Sequence, residues 1–226
     1  GQGDAPPVAT VRPPGSKSLT NRLLLLASLA GGESTLRYPL LEADDAERML
    51  EAVAALGASV QRAPGLVRIR GVGGLWKTPS GGATINLNNA GTATRFLAAS
   101  ALCSPEPLTV DGNDRMRQRP IGELAELLAR LGAGVEFLGE PGCPPVRVTR
   151  PASGLTTEVI EVSTTRSSQF ISALLLVAPF LPRGLTVRLS GTITSASYIH
   201  MTVGLLESLG ATVICPAGGG LDKELN

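Results

Sequence analysis

The sequence predicts an α/β fold in which one βαβαββ unit is written three times, with the third copy cut short. Three sets of parallel segments carry that prediction. Leu56-Gly57-Ala58-Ser59-Val60, Leu131-Gly132-Ala133-Gly134-Val135 and Leu209-Gly210-Ala211-Thr212-Val213 recur about 75 residues apart, each with its glycine where a helix C-cap belongs. Upstream, Asn21-Arg22-Leu23-Leu24, Thr94-Arg95-Phe96-Leu97 and Ser168-Gln169-Phe170-Ile171 each open an apolar helix rich in small residues. Between the two helices of each copy lies a short β-type run: Ser34-Thr35-Leu36, Leu108-Thr109-Val110 and Leu185-Thr186-Val187-Arg188-Leu189.

In chain order, residues 9–12 read as the entering strand, ended by Pro13 and Pro14. Gly15 allows a sharp turn, and Ser16, Ser18 and Thr20 are competent to cap the helix that follows. The entering strands of the other copies are residues 83–87 and 158–162. The first helix of each copy, 23–30, 96–102 and 170–178, is apolar almost all round and must be buried on every side. The second helices, 45–56, 121–131 and 198–209, carry charge on one face and lie nearer solvent. Strand pairs 59–62 with 66–70 and 134–138 with 146–149 close the first two copies, whereas the third offers only 212–215 before Pro216 and a glycine run. Buried helices with sheets outside, in a pseudo-threefold arrangement, satisfy this pattern, and so does an ordinary doubly wound sheet.

Composition narrows the chemistry. With 226 residues, 43% of them apolar, the chain can bury a sizeable core as one or two domains. A net charge of +1 gives no reason to expect nucleic acid or a charged membrane surface, so any anion site must be local. No run approaches the roughly 18 apolar residues of a membrane helix. Cys103, Cys143 and Cys215 are odd in number and widely spaced, which argues against a disulfide framework or a zinc site and reads as free thiols in the cytosol. His200 is the only histidine and no Gly-x-Ser-x-Gly elbow occurs, so a hydrolytic triad is unsupported. Gly-x-x-x-x-Gly-Lys and Gly-x-Gly-x-x-Gly spacings are absent, and no metal or cofactor is expected.

Four segments hold the candidate chemistry. Lys17 sits at a helix N-terminus, the wrong end for a cation, which predicts an anion there, with Ser18 and Arg22 beside it. Asn89-Ala90-Gly91-Thr92-Ala93-Thr94-Arg95 lets a ligand approach backbone N–H groups. Ser167-Ser168-Gln169 opens the third buried helix. Arg115, Arg117 and Arg119 alternate in a turn, which is costly unless anions or carboxylates are near, and Thr194-Ser195-Ala196-Ser197-Tyr198 offers hydroxyls at the equivalent place. Asp44 and Asp45 read as caps of the following helix. N-capping alone competes with ligand binding at any one serine, but three equivalent helix starts favour one shared anionic ligand.

Together, Pro14-Gly15-Ser16-Lys17-Ser18 with Asn21-Arg22, Asn89-Ala90-Gly91-Thr92-Ala93 with Arg95, Arg115 to Gly122, Ser167-Ser168-Gln169-Phe170 and Ser195 with Tyr198-Ile199 resemble the 5-enolpyruvylshikimate-3-phosphate synthase family. The resemblance runs from Val11 to Val213 in the family's order. It implies an enolpyruvyl transferase-like inside-out barrel domain, helices inside and sheets outside. It also implies a metal-free transfer of enolpyruvyl from phosphoenolpyruvate to shikimate-3-phosphate in chorismate and aromatic amino acid biosynthesis, with glyphosate as inhibitor. Carried over, Ser18 and Arg22 would hold the shikimate ring and carboxylate, Ser167, Ser168 and Ser195 its phosphate, and Gln169 and Tyr198 would line the ring. Lys17, Gly91, Thr92 and Arg119 would hold phosphoenolpyruvate or glyphosate, with Lys17 and Arg119 as the catalytic residues and Lys17 in proton transfer.

Phe96, where a proline is usual, Asn88, where a glycine is usual, and the run Gly112 to Met116 are more similar to the fungal form within a multifunctional polypeptide. The resemblance implies a leader or linker over 1–7, the N-terminal domain over 8–216 with units of about 8–75, 76–152 and 153–216, a tail or linker over 217–226, and a missing C-terminal domain supplied in cis or trans. The isolated chain is then expected to be inactive. A non-catalytic binding or regulatory half-domain is the reading from another class. A UDP-N-acetylglucosamine enolpyruvyl transferase would carry a reactive cysteine between Asp111 and Arg119, and none is there.

Overall fold

A computed structural model describes residues 15–163, 165, 167–191 and 193–215. The expected strand 9–12 lies outside the described residues. Helix α1 (Lys17–Leu29) begins where Ser16, in extended backbone, accepts a hydrogen bond from Leu19 N at 3.3 Å, so of the three candidate hydroxyls Ser16 is the cap. Strand β1 (Glu33–Arg37), α2 (Asp44–Ala55), β2 (Ser59–Ala63) and β3 (Leu66–Arg70) follow. The same order then recurs, with an entering strand, as β4 (Ala83–Asn86), α3 (Gly91–Ser100), β5 (Leu108–Asp111), α4 (Gly122–Arg130), β6 (Gly134–Phe137) and β7 (Val146–Thr149). It recurs once more as β8 (Val159–Val162), α5 (Ser168–Val177), β9 (Thr186–Leu189) and α6 (Ser197–Ser208).

The three Leu-Gly-Ala segments end α2, α4 and α6 alike. Gly57, Gly132 and Gly210 take φ of 100°, 95° and 87°, a left-handed backbone that only glycine enters freely. The next N–H reaches back over the helix end, Ala58 to Val53 O at 3.0 Å, Ala133 to Leu128 O at 3.1 Å and Ala211 to Leu206 O at 3.0 Å. These bonds satisfy carbonyls that the helix ends would leave open.

Helices α1, α3 and α5 pack against one another at the centre, and every residue of α3 is buried. The sheets lie around them: β1-β3-β2, β4-β5-β7-β6 and β8-β9. In β3 and β7 alternate residues are buried and exposed, as expected of sheets with one face on the core. The parallel pairs β4 with β5 and β8 with β9, and the antiparallel hairpins β2 with β3 and β6 with β7, belong to three separate sheets. That excludes a single doubly wound sheet and agrees with helices inside and sheets outside; among the described residues the three sheets do not join into a closed barrel. The strand expected at 212–215 is likewise absent: 211–215 form no ladder. A strand without a neighbour leaves its N–H and C=O groups unpaired, and β2 and β6 exist because β3 and β7 pair with them.

Candidate functional site

The starts of α1, α3, α5 and α6 converge on one cleft of about 280 Å³. Lys17, Ser18 and Arg22 come from α1, Thr92 from α3, Ser167, Ser168 and Gln169 from the start of α5, and Thr194, Ser195 and Tyr198 from the start of α6. Each of these residues lies in the first two turns of its helix or just before it, which is why the helix starts bring them together. Ser167 caps α5 by accepting from Gln169 N at 3.3 Å, and Ser168 is buried beside it. Gln169 Nε2 donates to Thr92 Oγ1 at 3.4 Å, which ties the second helix start to the third. Ser195 holds φ at 58°, an uncommon backbone for a side-chain-bearing residue.

Arg22 is the floor of the cleft, with 1% of its surface exposed. Its Nη1 donates to Ser18 O at 2.9 Å, its Nε to Thr202 Oγ1 at 2.7 Å, and its Nη2 to Ser172 Oγ at 3.1 Å and Tyr198 O at 3.3 Å. The guanidinium also lies 5.3 Å from the Phe96 ring centroid and 5.8 Å from that of Tyr198. No carboxylate of the described residues pairs with it. Burial lowers its pKa to about 10, with the electrostatic interaction with Tyr198 acting the other way, so it is cationic at neutral pH. A buried cation without a counter-ion is unfavourable by several kcal/mol, which an anion in the cleft offsets.

Lys17 departs from the expectation drawn from its place in the helix. Its Nζ lies 3.2 Å from Asp45 Oδ2, so the chain itself supplies an anion. Asp44 and Asp45 do not cap α2: Ala43 occupies that place, and the two carboxylates sit inside the first turn, where they favour the helix dipole. Asp44 accepts from Asn88 Nδ2 at 3.0 Å and from Arg48 Nε at 3.3 Å.

Gly91 and Arg119 do not line the cleft. Arg119 Nη1 donates to Asn89 O at 3.3 Å and its guanidinium lies directly over Gly91, next to Thr92. Arg95 packs behind, 9% exposed, with its guanidinium 5.5 Å from the Phe170 ring centroid and Nη1 donating to Gly91 O at 2.9 Å. Burial first, and then the nearby charge of Arg119, lower Arg95 to about 10. Arg117 is neutralised by Asp111 through bonds of 3.0 and 2.7 Å, and neither it nor Arg115 lines the cleft.

Sequence reasoning did not assign Ser172 and Thr202, which hold Arg22, whereas Thr194, read as one of a run of hydroxyls, does line the cleft. A signal for Ser172 and Thr202 existed. Ser172 follows Ser168 by four residues and Thr202 follows Tyr198 by four, so each lies one turn deeper on the same helix face. Chemically, the cleft can hold a small polyanion that also carries hydroxyls, by fixed charge, helix N–H groups and side-chain hydroxyls.

A family model described as EPSP synthase (3-phosphoshikimate 1-carboxyvinyltransferase) matches residues 2–218. The chain is 40% identical over 203 residues to the 3-phosphoshikimate 1-carboxyvinyltransferase of Shewanella amazonensis, covering 89% of this chain and 46% of that protein. It is 39% identical over 207 residues to that of Shewanella loihica, covering 91% and 48%. A solved EPSP synthase structure from Acinetobacter baumannii superposes with a TM-score of 0.77 at 26% identity, covering 90% of this chain and 44% of that one. The chain thus spans about half the length of the relatives it matches.

Proposed function

The chain belongs to the EPSP synthase family, and on that premise we propose that it is the shikimate-3-phosphate-binding half of a carboxyvinyl transferase. That enzyme moves enolpyruvyl from phosphoenolpyruvate to shikimate-3-phosphate with release of phosphate, on the way to chorismate and the aromatic amino acids. The observation that carries the reading is Arg22, a buried cation whose partners among the described residues are all neutral, at the floor of a cleft walled by serine hydroxyls and helix starts.

In this reading Ser18 and Arg22 hold the shikimate ring and carboxylate, Ser167, Ser168 and Ser195 hold its phosphate, and Gln169 and Tyr198 line the ring. Lys17, Gly91, Thr92 and Arg119 form the phosphoenolpyruvate or glyphosate side, with Lys17 and Arg119 catalytic. The support for that second subsite is proximity: Arg119 covers Gly91, which adjoins the cleft residue Thr92. Fixed cations and helix N–H groups stabilise charge as it develops on the transferring group. Residues 8–216 form the family's N-terminal domain, flanked by linkers, and the other half of the relatives' length completes the active site. The setting is the cytoplasm, a reading supported by three free cysteines and by the absence, among the described residues, of any helix long and apolar enough to cross a membrane.

Titration calorimetry of this chain with shikimate-3-phosphate, shikimate and inorganic phosphate tests the reading. Shikimate-3-phosphate is expected to bind more tightly than either part alone, and equal or undetectable binding of all three contradicts it. Phosphate release from the two substrates by this chain alone would overturn the assignment of a binding half.

A further inference from the structure

Among the described residues, the groups that bond Arg22 are all neutral. The shortest of these contacts is with Thr202, at 2.7 Å to Nε, and Thr202 is itself locked, donating to Tyr198 O at 2.8 Å and lying 3.1 Å from Ser172 Oγ. Thr202 has no exposed surface, and Ser172 has none. The Phe96 ring offers its face to the guanidinium at 5.3 Å, and the Tyr198 ring lies 5.8 Å from it. These groups come from all three repeats: Arg22 from α1, Phe96 from α3, Ser172 from α5 and Thr202 from α6. A carboxylate would orient the guanidinium more strongly by a two-pronged bond, but it would also cancel the charge. Hydroxyls, a carbonyl and an aromatic face orient it and leave the charge in place.

We propose that Thr202 and Phe96 are positioning residues that fix the Arg22 guanidinium in a neutral cage, so that its full charge is available to an anionic ligand in the cleft. The proposal rests on the reading that the cleft binds shikimate-3-phosphate. The cage, and not the arginine alone, then sets the affinity. Two consequences separate this from a merely structural role. Removing the Thr202 hydroxyl must change both the Arg22 Nε–H environment and ligand affinity. Adding a carboxylate inside the cage must abolish binding while leaving the fold intact, because an Asp at 172 gives the buried cation the partner it lacks.

The test uses the whole chain, with shikimate-3-phosphate as probe and the Arg22 Nε–H resonance as a readout that needs no ligand. Thr202→Val is expected to shift that resonance and weaken binding about tenfold or more, since a hydrogen bond to a charged group is lost. Thr202→Ser is expected to restore both. Phe96→Leu is expected to weaken binding by about threefold to tenfold through loss of the ring face. Ser172→Asp is expected to melt no lower than the wild type and to lose detectable binding. Wild-type affinity in Thr202→Val or in Ser172→Asp overturns the proposal. If either of those variants unfolds on melting analysis, Phe96→Leu decides by the same criterion. If the wild-type chain does not bind shikimate-3-phosphate, the functional reading fails, and an Arg22 resonance unmoved by Thr202→Val would separately overturn the cage.

Discussion

A β-carbon at Gly91 would stand 2.5 Å from Nη1 of Arg119, so the guanidinium closes directly over that glycine. The obstacle is the far end of a flexible side chain, and Gly91 occupies the first turn of α3. Gly91→Ala is therefore expected to keep the fold, with stability within about 1 kcal/mol of the wild type, while pushing Arg119 off Asn89 O. A crystal structure of the variant checks the displacement. An Arg119 guanidinium left in place would contradict it.

Gly71 presents the opposite case. A β-carbon there would meet Ala30 O at 2.1 Å and Ala27 O at 2.5 Å, both backbone atoms at the end of α1. Backbone cannot swing aside as a side chain does. Gly71→Ala should cost about 3 kcal/mol or more, seen as a lower urea midpoint, because the junction between β3 and α1 must open.

The indole of Trp76 is 1% exposed and its Nε1 donates to Ser100 Oγ at 3.1 Å. Ser100→Ala strands that donor in the core. The expected loss is about 1–3 kcal/mol, and the unfolding transition can be followed by the fluorescence of this single tryptophan.

Asp111 gives a pH dependence of known sign. The bond from Arg117 holds its carboxyl below the ordinary carboxylate range, helped by Gly112 N. A folded-state pKa below the unfolded value near about 3.9 means that the pair's stabilisation is present above that value and is lost as pH falls through the folded one. The slope of stability against pH below about pH 4 is therefore expected to be shallower in Asp111→Asn, by a small amount because the pair is partly solvated. An unchanged slope would contradict the pairing.

Much of the fold was legible because each copy repeats its own punctuation. Gly57, Gly132 and Gly210 mark three helix ends in sequence and take three left-handed conformations in space. What was not legible depends on partners distant in the chain. The ion pair that answers the charge of Lys17 comes from Asp45, in a separate helix. Whether residues 212–215 make a strand depends on a ladder neighbour, which local β propensity does not encode. Asp44 and Asp45 suit both a cap and a first helical turn, and composition cannot place the boundary to one residue. For the site, helix starts announced the cleft walls, whereas Ser172 and Thr202 matter because Arg22 bonds to them one turn below those starts.

In the proposed function, the starts of the three buried helices form one site for shikimate-3-phosphate. Amide shifts of this chain during a titration with that ligand test it most directly, with Ser168→Ala as the control variant. The expected result is a saturable set of shifts confined to the first turns of α1, α3 and α5 and to Ser195 and Tyr198, weakened in the control. Saturable shifts that miss all three helix starts, or none at millimolar ligand, would contradict it.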